Sequence, residues 1–121
     1  MGCDIHAVIE VRGENGRWVP VAFPDCPRDY EAFGRLVRDH GRASTGWGPA
    51  IAARGIPSNS VYADAEAIGI LGDHTFSWLT GRQFLRAIGD REGWKLARYD
   101  VEDWLARTAV AECRVVFGFD S

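Results

Sequence analysis

The alternation of apolar and polar residues near the start of the chain is the feature that most constrains the fold. From Cys3 to Val11 every second residue is apolar, and the apolar set is Ile5, Ala7, Ile9 and Val11. Side chains of a β-strand point alternately to its two faces. The pattern therefore predicts a strand with one face toward a core. The other face, with Asp4, His6, Val8 and Glu10, is polar enough to meet water or a cleft.

Further strands and helices follow along the chain. Asn15-Gly16 predicts a tight type I′ turn, after which residues 17–23 form the second strand of a hairpin, with Pro20 suited to a sheet edge. Residues 113–119 alternate as well and predict a last strand beside the first. Helices are predicted near residues 29–39, 58–68, 81–88 and 101–108, with a loop over 72–78 and a long irregular loop over 41–57.

The third helix has the strongest start signal, because Thr80 and Gln83 match a capping box. Asp100 suits the cap of the fourth. With 121 residues the chain fits one domain. We expect a single α+β domain over residues 1–121. Its antiparallel or mixed sheet would include the N-terminal hairpin and the C-terminal strand, with three to four short helices.

Composition excludes several classes of protein. A net charge of −3 argues against a broad basic face for long nucleic acid. Three cysteines without a C-x-x-C pair predict reduced thiols in a cytoplasmic protein. No apolar run is long enough for a membrane span or a secretory signal, and self-association is left open. The chain also lacks a P-loop, a G-x-S-x-G elbow and an H-E-x-x-H pair.

Asp4 and His6 are the first candidates for chemistry. They share one strand face, with Cα atoms about 6.5–7 Å apart, which suits two ligands of one metal ion or an acid orienting a base. His74, in the segment 72–78, could complete a site for a divalent metal such as Zn²⁺, Mn²⁺ or Mg²⁺. Asp120 or Asp73 would assist. The competing interpretation makes Asp4 and His6 solvated polar residues and gives His74 a local hydrogen bond to the backbone.

Two arginines and two tryptophans are candidates for ligand binding. Arg28 and Arg54 could clamp a small anion, since a guanidinium binds phosphate in a two-pronged fashion. Trp47 could fold over a pocket from the long loop, and Trp78 could stack on a base. The competing interpretation places these side chains on a solvated surface, where an arginine forms ion pairs and Trp47 anchors a loop.

The opening Met1-Gly2-Cys3-Asp4-Ile5-His6 resembles the start of a family of small uncharacterised proteins encoded by bacteriophages and prophages. Further matching blocks are Arg28-Asp29-Tyr30, Arg54-Gly55-Ile56-Pro57, His74-Thr75-Phe76-Ser77-Trp78-Leu79-Thr80 and Arg114-Val115-Val116-Phe117-Gly118-Phe119-Asp120. Two departures stand out: Phe76 replaces a second histidine of the third block, and Gly118 replaces a tryptophan of the last. The resemblance implies a phage setting in a bacterial host and no particular activity.

These observations lead to two hypotheses about function. The first is metal-assisted hydrolysis of a small phosphate-containing, nucleotide-like ligand, with a metal-bound water as nucleophile. The second is a non-catalytic binder that evades host defence, either as a sponge for a nucleotide signal or as an inhibitor of a host protein. A purely structural phage component is a third alternative.

Overall fold

The structure is a computed structural model that describes residues 2–37, 51–107, 110 and 112–120. Four strands form an antiparallel sheet in the order β2-β1-β4-β3. They are β1 (Asp4–Arg12), β2 (Trp18–Ala22), β3 (His74–Thr80) and β4 (Glu112–Asp120). The α-helices of the described residues are α1 (Tyr30–Leu36), α2 (Gly81–Ile88) and α3 (Lys95–Leu105). The predicted α+β class is confirmed.

The two strands at the centre of the sheet are β1 and β4, which pair over nine residues from Asp4↔Asp120 to Arg12↔Glu112. The prediction that the last strand lies beside the first is therefore confirmed. The hairpin from β1 to β2 also forms, but its turn differs from the predicted type I′. The Gly16 N–H donates to Gly13 O (3.1 Å) and only Gly16 has a positive φ there, at 76°. Glu14 and Asn15 are thus the central residues, and Gly16 follows them in the left-handed region.

The main core lies between the sheet and the three helices. The apolar set predicted for β1 is buried there, as is the alternating set of β4, namely Cys113, Val115, Phe117 and Phe119. Each helix contributes buried residues to this core, such as Phe33 of α1, Phe84 of α2 and Val101 of α3. Burial of a side chain of this size contributes roughly 1.5–3 kcal/mol, so this layer provides most of the driving force for folding.

The other face of the sheet is covered as well, by the segment of residues 51–72. Val8 and Val116 form a second cluster with Tyr62 and Leu71 of that segment. Glu10 has no exposed area. Val8 and Glu10 are therefore shielded from water, contrary to the prediction. The helix predicted for residues 58–68 is also wrong, because the segment forms two short 3-10 turns, Val61–Ala63 and Ile68–Leu71.

Residues 72–78 were predicted as a loop, but most of them belong to β3. The pairing of β3 with β4 shifts between His74 and Ser77, and Thr75 between them has a φ of 56°. This bulge interrupts the alternation by which a strand is recognised in a sequence. The predicted capping box after β3 is confirmed, since Thr80 Oγ1 accepts from Gln83 N (3.1 Å) and Gln83 Oε1 accepts from Thr80 N (3.0 Å).

The last helix starts earlier than predicted. α3 begins at Lys95, directly after the 3-10 turn Glu92–Trp94, so Asp100 lies in mid-helix and caps nothing. No side chain caps the N-terminus of α3, and the sequence accordingly contains no capping signal there. Buried Trp94 holds this helix start against Phe84 of α2, with ring centroids 6.2 Å apart.

Asp29 fastens α1 to the turn before α3. Its carboxylate accepts from Ala32 N (3.2 Å), from Arg91 Nε (2.7 Å) and Nη2 (2.9 Å), and from Trp94 Nε1 (3.1 Å). Burial raises the pKa of Asp29, but the hydrogen bonds from Arg91, Ala32 and Trp94 outweigh it, and the net pKa is lowered. Asp29 therefore stabilises the fold above its ordinary pKa, and this contribution is lost as the pH falls through the lowered value.

We expect Asp29→Asn to lower the free energy of unfolding at pH 7 by about 1.5–3 kcal/mol, the usual contribution of hydrogen bonds to a charged group. Asparagine keeps the helix cap, so the loss reports the charge. The difference between wild type and variant should begin to shrink below about pH 4, where Asp29 of the unfolded chain takes up a proton, and should disappear below the lowered pKa of Asp29 in the folded state. Urea denaturation at pH 7 and pH 3 measures both values, and a pH-independent difference would contradict this account.

Candidate functional site

A histidine–carboxylate pair lies at one end of the two central strands, on the face opposite the helices. His6 Nε2 is 2.5 Å from Asp120 Oδ2, although the two residues are 114 positions apart in the chain. Register explains the contact, because His6 pairs with Gly118 and Asp4 with Asp120. Both side chains are partly exposed, His6 by 40% and Asp120 by 45%. We call this pair the His6–Asp120 dyad.

The dyad has the arrangement of an oriented base. When Asp120 accepts a hydrogen bond from Nε2–H, the lone pair of the neutral imidazole is on Nδ1. Within the described residues, Nδ1 of His6 has no hydrogen-bond partner. It is therefore available to accept a proton from a molecule bound at this end of the sheet.

Asp4, beside the dyad, is paired with Arg28. Arg28 Nε donates to Asp4 Oδ1 at 3.0 Å, and this hydrogen bond lowers the pKa of Asp4. Both side chains are about half exposed, and such surface pairs contribute little stability. The two terminal nitrogens of Arg28 can thus engage an anion while Nε holds Asp4.

Gly2 is a neighbour that sequence reasoning did not single out. A Cβ at position 2 would overlap Nη1 and Cζ of Arg28. With a larger residue at position 2, the guanidinium of Arg28 would have to move aside. Gly2 and Arg28 are 26 positions apart in the sequence, and no local pattern indicates that they are in contact.

The cysteines are poor candidates for a nucleophile. Cys3 lies at this end of the sheet, and its pKa is raised by burial and by the charges of Asp120 and Asp4. Burial also raises the pKa of Cys26 to about 12 and that of Cys113 to about 11. Since the thiolate is the reactive form, these environments keep all three as thiols near neutral pH.

His74 lies apart from the dyad. It pairs with Phe119, whose side chain packs in the core on the helix side, and its ring stacks on that of Phe119 with centroids 6.3 Å apart. His74 Nδ1 is 2.8 Å from Thr75 Oγ1, and Nε2 is 3.8 Å from Asp73 Oδ1. The bulge at Thr75 sets this register, so His74 and His6 belong to opposite faces of the sheet.

The three residues predicted as metal ligands therefore do not meet. Asp4 contacts Arg28, His6 contacts Asp120, and His74 contacts Thr75. Across the ranges that the structure describes, no group of three or more His, Cys, Asp or Glu residues could hold a metal ion. Asp120, which was predicted to assist, is instead the direct partner of His6.

The predicted ligand-binding residues also separate. Arg28 lies beside the dyad, whereas Arg54 and Trp78 lie further along β3. Arg54 stacks over the Trp78 ring at 4.6 Å, and its Nη1 donates to Trp78 O (3.2 Å) and Gln83 Oε1 (3.1 Å). These contacts fix the segment of residues 51–57 to β3. Trp47 lies outside the described residues.

Sequence reasoning missed a buried ion pair on the covered face. Arg114 Nε donates to Glu10 Oε1 at 2.8 Å, and Ser60 Oγ donates to Glu10 Oε2 at 2.6 Å. Arg114 is 5% exposed and Glu10 not at all. Glu10 and Arg114 occupy strand positions that face away from the main core. Charged residues at such positions are usually exposed to solvent. The covering segment could not be foreseen from the strands alone.

Comparison with protein-family models, with curated proteins and with solved structures gave no match. In the described part of the chain, no helix combines the length and the apolar character that crossing a bilayer requires.

Proposed function

We propose that this protein hydrolyses a small phosphate-containing ligand at the His6–Asp120 dyad, with His6 as general base. The observation that carries this proposal is the 2.5 Å contact between His6 Nε2 and Asp120 Oδ2. A carboxylate on one ring nitrogen orients the imidazole and stabilises its protonated form, and the other nitrogen then takes a proton from water.

The proposed reaction is a displacement at phosphorus. His6 Nδ1 accepts a proton from water as the water oxygen bonds to phosphorus. The bond between phosphorus and the leaving oxygen breaks on the opposite side, the leaving oxygen takes a proton from solvent, and the imidazole releases its proton to solvent. Arg28 would neutralise the phosphate through its terminal nitrogens, because its Nε already donates to Asp4.

A divalent metal remains part of the prediction from sequence. His6 and Asp120 offer one nitrogen and one carboxylate that could share an ion, and an ion would lower the pKa of its bound water. This version requires a further ligand. It differs from the dyad mechanism in predicting that activity depends on added metal.

The second candidate is a non-catalytic binder of the same ligand class. The partial exposure of His6 and Asp120 favours it, since general-base catalysis gains most from a site that excludes water. In the phage setting implied by the resemblance, the ligand would be a nucleotide-like signal of host defence, and the protein would capture it. Both candidates place the phosphate beside Arg28.

Hydrolysis of p-nitrophenyl phosphate and bis(p-nitrophenyl) phosphate tests the proposal. We expect His6→Gln and Asp120→Asn to lower kcat/KM by about 10²–10⁴-fold, the usual contribution of general-base catalysis. Asp90→Asn removes an exposed carboxylate elsewhere on the surface and serves as the control. Equal rates for wild type and both dyad variants would contradict the proposal.

Two further measurements separate the alternatives. EDTA treatment should leave the rate unchanged under the dyad mechanism and abolish it under the version with a metal at His6 and Asp120. Incubation with a mixture of nucleotides, followed by heat release and mass spectrometry, shows whether a retained ligand is intact or cleaved. Intact ligand with no turnover supports the binder.

A further inference from the structure

A cleft lies at the end of the sheet away from the dyad. It has a volume of about 570 Å³ and is lined by residues that include Trp18, Trp78, Gly81, Arg82, Leu105 and Arg114. Its position follows from the strand lengths, because β3 ends at Thr80 opposite Arg114 whereas β4 begins two residues earlier, at Glu112. Gly118, the partner of His6, is four positions after Arg114 on β4, so this cleft is about 13 Å from the dyad along the strand.

Arg114 lines this cleft, and one of its terminal nitrogens is a buried donor. Its Nε is used by Glu10, and its guanidinium lies over the Trp18 ring at 3.8 Å. Nη2 is buried and has no hydrogen-bond partner among the residues that the structure describes. A buried N–H without an acceptor is unfavourable and rare in folded proteins. The two terminal nitrogens of a guanidinium form a fork that matches a phosphate or carboxylate group.

The N-terminus of α2 points to the same kind of ligand. Gly81 and Arg82 are its first two residues, and both line the cleft. The capping box satisfies the N–H groups of Thr80 and Gln83, and the first N–H groups of a helix have no acceptor within it. These donors and the helix dipole favour an anion.

The charges around the cleft agree with this assignment. Glu112 is the carboxylate among the lining residues, and Arg12 neutralises it at 2.7 Å. The pKa of Glu112 is lowered, chiefly by its hydrogen bond from Arg12. The exposed Arg82 adds a positive charge at the mouth. Trp18, Trp78 and Leu105 supply apolar walls.

We propose that this cleft binds a small organic anion whose phosphate or carboxylate group contacts Arg114 and the N-terminus of α2. Its apolar part lies against the two tryptophans. The site is separate from the His6–Asp120 dyad and does not depend on the activity proposed there.

Calorimetric titration with phenyl phosphate, benzoate and benzyl alcohol tests the proposal. We expect the anions to bind and the uncharged alcohol not to bind. Arg82→Gln should weaken anion binding by about three- to tenfold, and Arg114→Lys, which keeps a charge beside Glu10 but loses the fork, by roughly tenfold or more. Arg86→Gln, an exposed arginine one turn along α2, is the matched control and should bind as wild type does.

The comparison of the two anions identifies the ligand class: the tighter probe shows whether phosphate or carboxylate is preferred. His6→Gln should bind both anions as wild type does, so the result is independent of the dyad. Absence of anion binding up to roughly 10 mM, or equal affinity of wild type, Arg82→Gln and Arg86→Gln, would overturn the proposal. Arg82→Gln keeps the test decisive where Arg114→Lys fails to fold.

Discussion

Glu10→Gln is expected to lower the free energy of unfolding by about 3–5 kcal/mol, the cost of breaking a buried ion pair by removing one partner. Glu10 has no exposed area, and the substitution leaves Arg114 charged and 5% exposed beneath the covering segment. Ser60 Oγ, which donates to the charged Glu10 Oε2 at 2.6 Å, would then face a neutral amide. Urea denaturation followed by circular dichroism measures the loss.

The chain offers a matched control for this prediction. Glu112→Gln breaks the ion pair of Arg12 and Glu112, which lies two positions along the same two strands but is partly exposed, so we expect a much smaller change. The double substitution Glu10→Leu with Arg114→Met should restore much of the stability, because an apolar pair of similar volume needs no desolvated charge. A stable Glu10→Gln protein would mean that water reaches this pair.

Gly118→Ala is expected to destabilise the protein by about 1–3 kcal/mol, the range found when atoms are forced into packed interiors. A Cβ at position 118 would overlap the carbonyl oxygen of Leu71 and lie 2.6 Å from Cδ1 of Phe76. The Leu71 oxygen is backbone and cannot swing aside. The neighbouring Asp73 N–H donates to Phe119 O at 2.8 Å, which holds the segment against β4.

Gly69→Ala is the control for Gly118→Ala, because nothing lies within 4 Å of a Cβ at that position. Thermal unfolding of the two variants separates steric overlap from the general effect of removing a glycine. Gly118 pairs with His6, so the affected segment borders the dyad. Equal melting temperatures for both variants would show that the covering segment moves away at little cost.

Strand alternation and helix-capping residues are local sequence patterns, and they correctly predicted β1, β4 and the start of α2. The alternation of β1 and β4 identified both strands and their core faces, and the capping box of Thr80 and Gln83 located the start of α2. β3 escaped prediction because two residues bulge between His74 and Ser77. α3 was placed too late because its start rests on buried Trp94 rather than on a capping side chain.

The site was only partly accessible from the sequence. Asp4 and His6 were recognised as neighbours on one strand face, which strand geometry alone guarantees. Their partners depend on the register between strands more than 100 residues apart, and the register assigns Asp120 to His6. The same register brings Arg114 to Glu10. His74 was expected beside His6. Next to a β-bulge, however, the sequence does not show which face of the sheet a side chain is on.

The central position of β1 and β4 has a consequence for the folding pathway. The core of the sheet closes only when residues near position 5 meet residues near position 119, which is a contact of very high sequence separation. Such topologies fold slowly, because the entropy of closing a long loop is lost before the pairing stabilises the chain. A chain that ends before Glu112 would have one neighbour of β1 in place of two. It would lack Asp120 and Arg114 together, so both proposed sites depend on β4.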